Sequence, residues 1–175
     1  MKAILFQLLL LAYHQTTTWF DFFPFNGVRF YAKRERAIEA LVNFAMMALP
    51  PIGFFLRQPA LMKFGVIYYF VLFAVECATW WGPYFCGASP KWAEMHARLH
   101  ERTIMVLPKW AGHPAPNLEH LILMALTLTT AFVTLSAYRT VGAEPFRFWQ
   151  SVVIASAIFA GGTFYQFVIA GRRRS

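Results

Sequence analysis

The chain is 175 residues long, with 58% aliphatic, aromatic and cysteine residues against 14% charged ones; a soluble globule of this size needs more polar surface, so the composition selects the bilayer as solvent. The formal charge of +8 does not indicate a nucleic-acid partner, because the Lys and Arg residues fall between apolar runs instead of clustering with aromatics on one polar face. Five stretches each approach the roughly 20 apolar residues that a spanning helix needs, which predicts an all-α fold: a polytopic transmembrane helix bundle of about five spans, one integral membrane domain over residues 1–175.

The first predicted span covers residues 3–20 and is the weakest, because its apolar part, AILFQLLLLAY, runs into the polar HQTTT. Lys2 and this short apolar core also resemble a signal peptide, but no small-x-small cleavage site follows and cleavage would export the basic cluster from Arg29 to Arg36. A half-span or interfacial helix beside a four-span bundle is the remaining alternative. The second span, 37–56, carries Pro50-Pro51, expected to kink or break its far end. The third, 64–81, ends in Trp80-Trp81, an aromatic pair suited to a membrane interface.

A long connection, residues 82–117, follows. Ser89 and Pro90 can start a helix, after which Trp92, Met95, Leu99, Thr103 and Val106 recur at helical spacing while Lys91, Glu94, Arg98 and Glu101 lie largely off that stripe. This predicts an amphipathic cytoplasmic surface helix over about 90–107, ended by Pro108. The fourth span, 118–138, follows Asn117, a good N-cap, and the fifth, 148–170, stops at Gly171 and three arginines. Cys77 and Cys86 lack CxxC or zinc-like spacing and read as free thiols.

Orientation follows from the basic residues, which are retained on the cytoplasmic side. With the C-terminus inside, eleven of them lie there: Arg29, Lys33, Arg34, Arg36, Lys91, Arg98, Arg102, Lys109 and Arg172 to Arg174. Lys2, Arg57, Lys63, Arg139 and Arg147 remain outside, and five spans require an external N-terminus. The expected location is a bacterial inner membrane or its equivalent.

Polar side chains inside spans are costly and tend to face a bundle interior or a wet cavity. They gather here toward the cytoplasmic half: His14 and Gln15, Glu39 and Asn43, Glu76, Glu119 and His120, and Gln166. In the second span Arg36, Glu39, Asn43, Met46 and Pro50 share a face; in the third Tyr69, Phe73, Glu76 and Trp80 do, and in the fourth His120, Met124, Thr127, Ala131 and Thr134. Glu39, Asn43, Glu76 and His120 are therefore expected to point inward around a cavity opening to the cytoplasm. Glu39 and Glu119 also sit in first helical turns, where the helix dipole favours a carboxylate without any further role.

Trp80 and Tyr84, in the WWGPYF cluster, either anchor the helix at the interface or wall the cavity mouth, and Arg98 and Arg102 are placed to hold an anionic headgroup. His96 and His100, one turn apart, with His120 as a third ligand, form a metal-site alternative, although no HExxH or cysteine pair supports it and the primary reading has no metal. No particular cofactor is indicated.

Three functions fit these features. A protein that binds a lipid or amphiphile, or serves membrane-complex assembly, needs only the polar stripes and interface aromatics. An integral membrane enzyme acting on an amphiphile would use Glu76 and His120 as its acid–base pair. A small transporter would need a polar path through the outer half, which is nearly all apolar. The expected partners are the bilayer and a lipid or amphiphile.

Overall fold

Each apolar run in the first 141 residues forms a helix. The computed structural model describes residues 1–141, and these contain α1 (Lys2–Trp19), α2 (Lys33–Phe55), α3 (Pro59–Cys86), α4 (Pro90–Leu99) and α5 (Leu118–Thr140). The described residues form no strand; Met105 and Asn117 make an isolated antiparallel bridge. α2, α3 and α5 are long and apolar enough to cross a membrane. The stretch 148–170, with Gln166 and the terminal arginines, lies outside the described residues.

α1 packs against α2 and α5, and α3 packs against the same two helices, so α1, α2, α3 and α5 form a closed ring of four neighbours. Neighbouring helices run antiparallel, as the pairs Gln7–Thr134 and Tyr13–Glu119, Gly53–Leu61 and Gly65–Pro50, and Glu76–Thr127 and Trp80–His120 show. Both longer connections, 20–32 and 87–117, therefore lie at one end of the bundle, called here the cap end. They interlock: Ile104 N–H donates to Pro24 O at 2.9 Å, and Leu118 N–H donates to Ile104 O at 2.9 Å. Asn26, fully buried, donates from Nδ2 to Thr17 O and Phe20 O and accepts from Phe22 N–H, fastening the first connection to the end of α1. Gly27 lets that connection touch the second, since a Cβ there would stand 2.1 Å from Leu99 O.

Sidedness is inverted relative to a water-soluble bundle. In α1, Gln7, His14, Thr17 and Thr18 are buried while Leu5, Leu8 and Leu9 are 48–65% exposed. Such a surface is stable against hydrocarbon, where polar groups must find partners inside the protein. Gln7 Nε2 donates to Thr134 Oγ1 at 3.0 Å, Thr130 and Thr134 are fully buried, and small Ala131 lies among them. At the same level Leu10, Met47, Met62, Val66, Tyr69, Phe70 and Leu135 join Ala131 in an apolar core.

Several boundaries depart from the hydropathy reading. α2 begins at Lys33 because the Glu35 carboxylate accepts Ala32 N–H at 3.3 Å and starts the helix before its apolar part. Pro50 and Pro51 do not break it; the helix continues to Phe55, and Pro50 packs against Gly65 of α3, where an added Cβ would be 2.8 Å from Pro50 Cβ. α3 extends from Pro59 through Pro83 to Cys86 and stops at Gly87, whose φ of 89° lies in the left-handed region. α4 ends at Leu99, not near 107, because Thr103 turns back on His100 O through both its N–H and its hydroxyl and the chain then joins the bridge to Asn117. The buried face of α4 is Trp92, His96 and Leu99; Met95, placed on that face by spacing, is 39% exposed.

Candidate functional site

Four segments meet at the cap end to form a small open cleft. α1 contributes Thr17 and Thr18, the first connection Val28 and Tyr31, α2 Arg36 and Glu39, and α5 Glu119 and His120, around a volume of about 40 Å³. The cleft opens to the surface, so a group larger than a water molecule can enter it from the rim. Glu39 stands at the rim with its side chain about half exposed, and its Oε1 is 3.9 Å from His14 Nε2; Glu119 lies deeper, its Oε2 4.0 Å from His120 Nδ1. Both separations exceed a hydrogen bond. Arg36 Nε is buried without a hydrogen-bond partner among the described residues. Tyr13 donates its hydroxyl to Glu119 O at 2.8 Å, holding the start of α5 against α1.

Behind His120 lies an aromatic layer. The Trp80 ring is 3.9 Å from the His120 ring, 5.1 Å from His100, 5.7 Å from Trp92 and 6.0 Å from His96, measured between centroids. Each imidazole is held by a different oxygen: His96 Nε2 by Ala115 O at 2.9 Å, His100 Nε2 by Tyr31 Oη at 3.0 Å, and His120 Nδ1 by Asn117 Oδ1. Asn117 does three things. Its Oδ1 caps α5 by accepting His120 N–H at 3.1 Å, the same oxygen orients the His120 ring, and its Nδ2 donates to Thr103 Oγ1 at 2.9 Å. Burial pushes the His96 imidazole below its ordinary range and that of His100 down to about 3, and burial, with the nearby Glu39 and Glu119 carboxylates, raises Tyr31. Both imidazoles are thus neutral, and Tyr31 keeps its proton.

The residues anticipated from sequence divide into three groups. Glu76, Trp80 and His120 do point inward, and Glu39 lines the cleft rim. Glu76 and His120 do not pair: Glu76 Oε1 is 3.0 Å from Thr127 Oγ1, whereas His120 is turned to Asn117 and Glu119. Asn43 is half-buried and donates to Glu39 O of its own helix at 3.0 Å, because the packed face of α2 is formed by Ala40, Met47 and Pro50. Tyr84 is buried but fastens the second connection, donating to Pro108 O at 3.1 Å. Arg98 and Arg102 are exposed on the cap, and the Arg102 guanidinium stands 5.9 Å from the Phe30 ring centroid. Among the described residues no group of three or more His, Cys, Asp or Glu side chains is arranged to hold a metal ion; His96, His100 and His120 meet around Trp80 with their bonded nitrogens facing three separate protein oxygens.

Sequence reasoning missed Tyr31, Thr17 and Thr18 as cleft residues and the depth of Glu119. Glu119 had a usable signal in its position beside His120. Tyr31 had none, because it stands in a connection without periodicity.

Comparisons with protein-family models, with curated proteins and with solved structures find no match for the chain.

Proposed function

We propose that the protein binds the polar end of one amphiphile in the cap-end cleft and that its role is lipid or amphiphile binding without chemistry, including a place in membrane-complex assembly. The observation that carries this reading is the convergence of Arg36, Glu39, Tyr31, Glu119 and His120 on one small cleft at the end of helices whose outer faces are apolar. An amphiphile satisfies both halves at once, with its chains along the lipid-facing helices and its head among the charged groups. In this reading the chain has five spans, the cap end is cytoplasmic, α4 lies beneath the headgroups, and the membrane is a bacterial inner membrane or its equivalent.

The test is native mass spectrometry of the gently solubilised full chain. The parent protein is expected to retain one amphiphile per chain and Glu39→Leu to lose it severalfold, with an unchanged melting temperature because Glu39 is a rim residue. Equal retention by both proteins would remove the cleft from the reading.

An enzyme acting on the same amphiphile is the second reading, favoured by the two carboxylate–imidazole juxtapositions, His14 with Glu39 and His120 with Glu119. Its acid–base partner for His120 is Glu119, not Glu76.

A further inference from the structure

We infer that the cleft selects a zwitterionic headgroup in which a primary ammonium lies close to a phosphate, as in a phosphoethanolamine lipid; this rests on the amphiphile-binding reading above. Three features of the cleft carry it. The first is charge of both signs within one small volume: Arg36 from α2 against Glu39 from α2 and Glu119 from α5. A purely anionic head would meet two carboxylates, and a purely cationic one would meet the guanidinium.

The second is unused bonding capacity. Arg36 Nε is buried and has no hydrogen-bond partner among the described residues, and the ion-pair contact of Glu39 is with His14 at 3.9 Å; Glu119, 4.0 Å from His120 Nδ1, is also bonded by the Asn117 and Thr17 side chains and has acceptor capacity left beside them. A guanidinium with a free N–H is the side chain best shaped for a phosphate oxygen. Two carboxylates from different helices can share the three donors of one –NH₃⁺ group.

The third is donor number. The cleft, about 40 Å³ and open to the surface, admits an ammonium, and each methyl group added to the nitrogen removes one N–H donor from the carboxylates. Quaternary amines are held by cages of several aromatic faces. Tyr31 is the one aromatic among the described residues that line this cleft; Trp80 lies behind His120.

The experiment titrates the delipidated full chain in detergent with a dioleoyl series differing in headgroup methylation: phosphatidylethanolamine, its N-methyl and N,N-dimethyl forms, and phosphatidylcholine, with dioleoylglycerol as the headless control. Bound lipid is read by native mass spectrometry. Retention is expected to fall stepwise with each methyl group, by about tenfold from the first lipid to phosphatidylcholine, and dioleoylglycerol should not be retained. Arg36→Gln should weaken every phosphate-bearing lipid alike. Glu119→Gln should lower retention of phosphatidylethanolamine toward that of phosphatidylcholine, flattening the methyl series. O-phosphoethanolamine added in solution separates two sources of this chemistry: displacement of bound lipid points to the headgroup alone, and no displacement points to the intact lipid. Equal retention across the methyl series overturns the inference and leaves amphiphile binding standing. No retention of any lipid overturns both.

Discussion

Glu76 and Thr127 show how one hydroxyl determines whether an acid can be buried between helices. Thr127 Oγ1 is 3.0 Å from Glu76 Oε1 and equally 3.0 Å from Leu123 O of its own helix, while Glu76 Oε2 has no partner among the described residues. Removing the hydroxyl leaves the carboxyl unpartnered in a nine-tenths buried site, so Thr127→Val is expected to cost about 1–3 kcal/mol. Replacing both partners, Glu76→Leu with Thr127→Val, leaves no polar group to satisfy and should return stability toward the parent. Melting temperatures of the three variants and the parent in one detergent measure this. Additive losses in the double variant would show that Glu76 draws its stabilisation from elsewhere.

At the scale of the element, α4 and the turn after it bury two imidazoles, and burial favours their neutral form. Trp92, His96 and Leu99 face the bundle, and His100 follows at the helix end, 5.1 Å from the Trp80 ring and bonded to Tyr31. Once undocked, the histidines bind protons near their ordinary pKa of about 6.5. In the folded protein burial lowers both, His100 to about 3. Below about 6.5 the unfolded chain therefore carries more protons, so the stability contributed by His100 is fully present above that pH and declines as pH falls toward about 3, with a limiting slope of about 1.4 kcal/mol per pH unit. The melting temperature is expected to drop between about pH 7.5 and about pH 5.5, and to drop less in His100→Gln, which cannot take up a proton. A drop of equal size in both proteins would place the acid sensitivity elsewhere.

For the whole molecule, the antiparallel ring fixes which connections share a side. Arg29, Lys33, Arg34, Arg36, Lys91, Arg98, Arg102 and Lys109 all belong to the cap end, whereas Lys2, Arg57, Lys63 and Arg139 belong to the other. In the proposed orientation, which rests on the retention of basic residues, the cap end is the cytoplasmic one. Reporters fused within residues 86–92 and after Ser175 are expected to be cytoplasmic, and one inserted at Gln58 external. An external signal at residues 86–92 would reverse the orientation, and an external signal after Ser175 alone would change the number of spans.

The sequence by itself determined the helical class, the approximate position of each long helix among the described residues and the inward direction of Glu76, Trp80 and His120. Apolar length and side-chain periodicity are local properties and survive in a one-dimensional reading. Asn117 was legible as a cap for the same reason, since an N-cap acts within one turn. Only the tertiary structure decided what these residues meet. Glu76 finds Thr127 fifty-one positions away, His100 finds Tyr31 across sixty-nine, and the cleft draws on α1, α2, α5 and a connection with no period. The length of α4 was decided in the same way: its amphipathic stripe continues past Leu99, but backbone bonds from Ile104 to Pro24 and from Leu118 to Ile104 draw the chain out of the helix. Periodicity specifies which face a side chain occupies, and the packing of distant segments specifies its partner.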